Sequence, residues 1–224
     1  MKITEVEEKL IQQYSDELLE KFKTALKRVP KNNRCQHCYT TAVAIKAPYI
    51  EQAIELIQYG LTFCDDWLNE MRSYTNMAIL YEQNMEYSNA FYSYQKALNA
   101  VKADFRASYE FEFSAHMLRT YMHMYNFEYT DQLENLYNLA IQADEFSQSF
   151  QKKLLYRALA EIIIFEHKKD IDNVKNAIQK ADNVICPNQV GPLYSLLKRK
   201  RFIESNGATN ESITFLEKMK KLYI

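Results

Sequence analysis

Three glycines and four prolines in 224 residues leave too few turn-formers and phosphate-cradling loops for an all-β or Rossmann-like chain. A formal net charge of −1 removes the global positive field that binding to nucleic acid or an anionic membrane would call for. Acids dominate residues 61–150 and bases dominate 151–224, a pattern that can steer a charged partner or pair copies head to tail, and equally can clothe solvated faces.

The first residues, MKITEVEEKL, have no apolar core and do not read as a secretory signal. The longest apolar stretch, Ala158 to Phe165, is broken by Glu161 and is too short to span a bilayer. Four cysteines do not make a staple framework, and a chain of this length can build a core without one. The expectation is a cytoplasmic protein with reduced thiols, no cofactor and no membrane contact.

A first helix is expected over 4–29, with Thr4 and Glu7 forming a capping box and Val6, Leu10, Tyr14, Leu18, Phe22 and Leu26 on its apolar face. Pro30 to Arg34 reads as a loop. A hairpin over about 34–63 follows, its helices separated by Pro48, which is well placed in a first turn. The next hairpin, about 65–102, starts at Asp65-Asp66, an N-terminal cap with favourable dipole placement. Hairpins over about 104–144, with Thr130 capping the second helix, and about 147–185 come next. Cys186 to Pro192 holds two prolines and a glycine and is the strongest break. A last pair spans about 193–223. No segment alternates cleanly as a strand, so the fold class is all-α with about eleven helices in one domain over 1–224.

The stretch Met71 to Asp104 is the most informative. Tyr74 stands early in its first helix, followed by the large and small pair Met77 and Ala78, then Tyr81 one turn later. Ala90, Tyr94 and Ala97 follow in the second helix. Methyl-sized side chains let two backbones cross closely while rings fill the space beside them. In these positions and spacings the stretch resembles a tetratricopeptide repeat. Weaker echoes occur at Lys169 to Pro187, with Val174, Ile178 and Ala181, and at Tyr49 to Leu61, with Ala53, Ile57 and Gly60.

The resemblance implies a superhelical array of antiparallel helical hairpins, an α-solenoid, binding a protein or peptide in a groove lined by its first helices. Carried over residue by residue, the groove comprises Arg72, Thr75, Ile79, Glu82 and Gln83 in the best repeat. The next unit contributes Arg119, Met122, Tyr125 and Asn126, and the fourth Tyr156, Leu159, Ile163, Glu166 and His167. The family's clamp for chaperone C-terminal carboxylates needs Lys and Asn at places that here hold Cys38, Thr75 and Ile79, so that activity is not implied. The alternative from another class is a peptide-sensing regulatory domain, which in similar regulators follows a helix-turn-helix module; none is expected here. A homo-oligomer stays open, and nucleic acid is disfavoured.

Cys35-Gln36-His37-Cys38 offers a metal or thiol-exchange site in Cys35, His37 and Cys38, since a helix start lowers a thiolate pKa. Zinc would need two further ligands that no second motif supplies, so structural, reduced thiols are the preferred reading. Glu112, His116 and His123 share a helical face, more simply a seam between hairpins than an acid–base row. Lys198 to Arg201 is a basic run wrapped around its helix. No nucleophile elbow, phosphate loop or catalytic carboxylate pair can be assembled, and no enzyme is expected.

Overall fold

The chain's structure, a computed structural model, describes residues 2–45, 48–144, 151–185 and 208–224, apart from the side chains of 107–108, 111–112, 142–144 and 151–153. Among the described residues there are eleven helices and no strand. None of these helices is long and apolar enough to cross a membrane. The expected helix over 193–204, the break at Cys186 to Pro192 and the basic run Lys198 to Arg201 lie outside the described residues.

The chain divides into two compact units, Met1–Tyr109 and Glu110–Ile224. The first contains α1 (Ile3–Gln12), α2 (Asp16–Leu26), α3 (Lys31–Ala44), α4 (Ile50–Leu61), α5 (Trp67–Gln83) and α6 (Tyr87–Ala100), with the start of α7 (Ala103–Met124). The single helix expected over 4–29 is two helices. Ser15 leaves helical backbone and its hydroxyl accepts from the Leu18 N–H at 3.3 Å, so it caps α2. Thr4 does not cap α1 either: Lys2 occupies that position and its N–H donates to Glu5 at 3.2 Å. Glu7, released from the capping role, turns toward α3. Asp66 does cap α5 as the sequence suggests, accepting from the Asn69 N–H at 2.9 Å.

Within this unit α1 packs on α2 and α3, α3 on α4 and α5, α4 on α5, and α5 on α6. One apolar cluster runs through the first five helices, including Leu10, Phe22, Leu26, Ile57, Met77 and Leu80. The small residues of the central hairpin are buried to the last atom: Ala78, Ala90 and Ala97 have no exposed surface, nor has Tyr94. Gly60 is where α4 meets α3 most closely. A Cβ there would lie 2.5 Å from the Cβ of Cys38, closer than two carbons approach.

The second unit contains the rest of α7, α8 (Asp131–Asp144), α9 (Gln151–His167), α10 (Ile171–Ile185) and α11 (Asn210–Tyr223). Thr130 caps α8, its hydroxyl accepting from the Leu133 N–H at 3.1 Å, and Thr209 caps α11. Glu161, almost fully buried on α9, accepts from Tyr137 of α8 at 2.9 Å and Lys180 of α10 at 2.8 Å. Those bonds are what let a carboxylate sit in the packed seam. Tight turns close α5 to α6, α7 to α8 and α9 to α10 with a residue at positive φ in each: Met85 at 58°, Phe127 at 60° and Lys169 at 60°. In each turn an N–H reaches back five residues, Glu86 to Tyr81, Phe127 to Met122 and Asp170 to Phe165. This is the work glycine usually does at a helix end.

Candidate functional site

In the first unit each helix of interest has flanks assigned by named contacts. On α3, His37 Nδ1 lies 2.6 Å from Glu7 Oε1 of α1, and the Thr41 hydroxyl donates to the same oxygen at 3.2 Å. Cys38 meets Gly60 of α4. Cys35 Sγ lies 3.3 Å from the Ser73 hydroxyl of α5, and the Tyr39 hydroxyl donates to Asn69 of α5 at 3.3 Å. At about 100° of turn per residue, α1 and α5 therefore flank α3 on opposite sides with α4 behind. What remains is an outward stripe of exposed residues: Asn33, Gln36, Thr40 and Val43.

On α5, Asn69 and Ser73 face α3, and Glu82 accepts from Tyr94 of α6 at 3.3 Å. The stripe left over contains Arg72 and Gln83, both exposed, and Thr75 and Ile79, both half-buried. The Thr75 hydroxyl is turned back onto the Met71 carbonyl at 2.8 Å. Going round α3 and α5 in the same sense, one meets the outward stripe, then the preceding helical pair, then the helix's own partner. The two stripes thus open on the same side.

Of the residues expected in a groove, the structure brings Arg72, Thr75, Ile79 and Gln83 onto this stripe. Glu82 sits at its edge, half-buried and engaged with Tyr94. The second unit corrects the rest. Met122, Tyr156, Leu159 and Ile163 are 1%, 2%, 0% and 2% exposed, so they are core residues and cannot meet a partner. For Tyr156, Leu159 and Ile163 the reason is helical cover on the α9 face that the sequence leaves open. Tyr156 meets His123 of α7 at 3.2 Å, and Tyr223 of α11 donates to Glu166 at 3.2 Å. Arg119 is half-buried, while Tyr125 and Asn126 are exposed at the α7 end, with Asn126 at φ 49°. His167 is exposed with its ring stacked on Tyr129, centroids 3.6 Å apart.

The Cys-x-x-Cys cluster is also corrected. Cys35 is joined not to Cys38 but to Cys64, in the connection between α4 and α5, with Cα atoms 5.6 Å apart, within the span a disulfide bridges. This overturns the expectation of a reduced thiol at Cys35 and at Cys64, and leaves it standing at Cys38. Cys38 is free and has no exposed surface. Burial, with Glu7 adding to it, pushes its thiol up to about 12, which leaves it a packing residue. His37 turns to Glu7 instead of to the thiols. Among the described residues no group of three or more His, Cys, Asp or Glu side chains is arranged to hold a metal ion.

His123, from the expected polar row on α7, is a seam residue. Its Nε2 lies 3.2 Å from the Tyr156 hydroxyl and 3.4 Å from the Thr209 hydroxyl. Burial holds its imidazole down to about 4, with Arg119 pushing the same way and Glu211 opposing. The Glu112 side chain lies outside the described residues.

Sequence reasoning missed the Glu7–His37–Thr41 cluster, which forms one wall of a cleft between α1 and α3 of about 420 Å³. Glu7 and His37 are 30 residues apart, and periodicity carries no signal for such a pair. A second cleft, about 440 Å³, lies along α2 beside Glu17, Lys21 and Arg28. Its Lys21 is already paired with Glu17 at 2.5 Å. Compared with known proteins, the chain matches no family model, no curated protein and no solved structure.

Proposed function

We propose that this chain is a protein- or peptide-binding scaffold of the tetratricopeptide-like kind, in which stacked helical hairpins present the outward stripes of their first helices to a partner. One observation carries the reading. In the first unit α3 is flanked by α1 and α5 on opposite sides, and α3 and α5 leave stripes that open the same way. Successive hairpins that repeat one set of contacts give a continuous face wider than one helix, and an extended segment can lie across it. The face is mixed in character, with Arg72, Gln36 and Thr40 beside Val43 and Ile79, as suits a peptide whose backbone needs polar partners and whose side chains need apolar ones.

Affinity capture with the full chain from its native host, followed by binding measurements on the captured partner, tests this. Arg72→Ala and Gln36→Lys should each weaken binding severalfold. Tyr92→Ala, an exposed ring on α6 away from the stripe, should leave it unchanged. A partner that binds all three variants as tightly as the wild type would show that the face lies elsewhere.

A further inference from the structure

The cleft between α1 and α3 opens on the same side as the α3 stripe, and its chemistry is one-signed. Thr4, Glu7 and Glu8 line it from α1 and Gln36, His37 and Thr40 from α3, with Ile11, Asn33 and Thr41 completing the lining. No lysine or arginine is among the lining residues. The nearest guanidinium on α3, Arg34, is spent on the carbonyls of Val29 and Lys27 at 2.9 and 2.8 Å. With two carboxylates and at most one imidazolium, the cleft is net negative whatever the protonation of His37.

Glu7 is the central group. Its side chain keeps only 15% of its exposure, and one oxygen, Oε1, takes both protein contacts, from His37 at 2.6 Å and Thr41 at 3.2 Å. Its other oxygen, Oε2, has no protein partner among the described residues, and it is not sealed from solvent. A half-buried carboxylate with its rotamer locked by two neighbours and one lone-pair edge left open is a preorganised acceptor for a charge-assisted hydrogen bond. Around it, the side-chain amides of Asn33 and Gln36 and the hydroxyls of Thr4 and Thr40 supply neutral polar contacts. The volume falls in the range of roughly 300–1,000 Å³ that small-ligand sites occupy.

We infer that this cleft is a pocket for a cationic side chain, the guanidinium of an arginine or the ammonium of a lysine in the partner segment, with Glu7 as the direct acceptor and Glu8 as a supporting charge. This rests on the proposed peptide-binding face and names the chemistry of one of its pockets.

The test separates the two claims by using a probe with no peptide length. The isotopically labelled full chain is titrated with Nα-acetyl-arginine methylamide and Nα-acetyl-lysine methylamide while backbone amides are followed by NMR. The isosteric neutral citrulline derivative is the control. The cationic probes should shift amides of residues 4–11 and 33–41 saturably, in the millimolar range expected of so small a ligand, and added salt should weaken them. The citrulline probe should bind at least about tenfold more weakly. Glu7→Gln should cost about tenfold or more, and Glu8→Gln, at an exposed position where folding is not at stake, a few-fold. Equal shifts from the charged and neutral probes, no saturable shift, or wild-type affinity in Glu8→Gln together with a folded Glu7→Gln would overturn the inference. Arginine binding here without any stripe-dependent partner would instead overturn the peptide-binding face and leave the pocket standing.

Discussion

Gly60→Ala is the sharpest test of the close crossing between α3 and α4. The added methyl carbon would lie 2.5 Å from Cys38 Cβ, 3.4 Å from Cys38 Sγ and 3.5 Å from the Cys35 carbonyl oxygen. Carbon pairs settle at about 3.5–4.0 Å, so only the first contact is prohibitive, and relieving it demands that the helices part by about 1 Å. Cys38 Cβ is fixed to the α3 backbone, so no rotamer change can release the strain. Overpacking of this kind costs about 1–3 kcal/mol. Exchanging glycine for alanine in a helix returns up to about 1 kcal/mol. The net expectation is a loss of about 1–2 kcal/mol, read as a lower urea midpoint in the fluorescence of Trp67, which lies on α5 in the same unit. The partner residue gives the control. In a Cys38→Ala background the Cβ remains, so Gly60→Ala should still be costly. In a Cys38→Gly background the clash is gone and the same change should become neutral or stabilising. Equal costs in all three backgrounds, or a Gly60→Ala protein as stable as the wild type, would refute the reasoning.

Three further outcomes follow from other sites. The Cys35–Cys64 bond closes a loop with a sequence separation of 29, so its reduction or a Cys64→Ser change should lower stability by about 3–4 kcal/mol on the chain-entropy scale. Peptide mapping of the unreduced protein after alkylation should show Cys35 and Cys64 linked and Cys38 unmodified until denaturation; finding both alkylated in the native state would remove the bond. His123, held down to about 4 from 6.5 by burial, binds its proton more readily when unfolded, so its contribution is complete above about pH 6.5 and is lost as pH falls toward 4. That amounts to about 3 kcal/mol, and His123→Gln should flatten the fall in stability between those values; an unchanged slope would mean that the imidazole is not buried. Lys169→Gly, at φ 60°, removes an αL penalty of about 1–2 kcal/mol and adds a glycine entropy cost of up to about 1. The turn should gain about 0.5–1 kcal/mol in denaturant melts, and a loss would show that the lysine side chain itself holds the turn.

How much of this was legible in the sequence depends on how local each feature is. The helices from α3 onward could be placed within a few residues, because apolar spacing, Pro48 and the caps at Asp66 and Thr130 are neighbours along the chain. The break at Ser15 was hidden, because Tyr14, Leu18 and Leu19 continue the helical period on either side of it and periodicity does not register a three-residue interruption. The small residues of the central hairpin were read correctly as buried, since close approach demands small side chains whatever the fold. The Cys35–Cys64 bond was hidden because Cys-x-x-Cys is a pattern of neighbours, whereas Cys35 has its partner 29 positions away. The second unit was misread for the same reason: Leu159 and Ile163 look like one open face of α9 until α7 and α11 are in place, and Tyr223 is 57 residues from the Glu166 it bonds.

These corrections concentrate the candidate binding surface in the first unit. A groove that drew on Tyr156, Leu159 and Ile163 would have been apolar along much of its length, and so suited to an amphipathic helix. With those residues in the core, what stays accessible is mostly polar, with Val43 and Ile79 as its apolar spots, and is negative between α1 and α3. Affinity on such a surface comes from hydrogen bonds to the partner backbone and from a few charge contacts, not from buried area. A partner selected by it should be an extended segment carrying basic residues, and its association should weaken as salt is raised. An amphipathic helix held by apolar contacts would show the opposite, with affinity nearly independent of salt. A salt series on the captured partner therefore tells the two kinds of recognition apart before any contact between chain and partner is mapped.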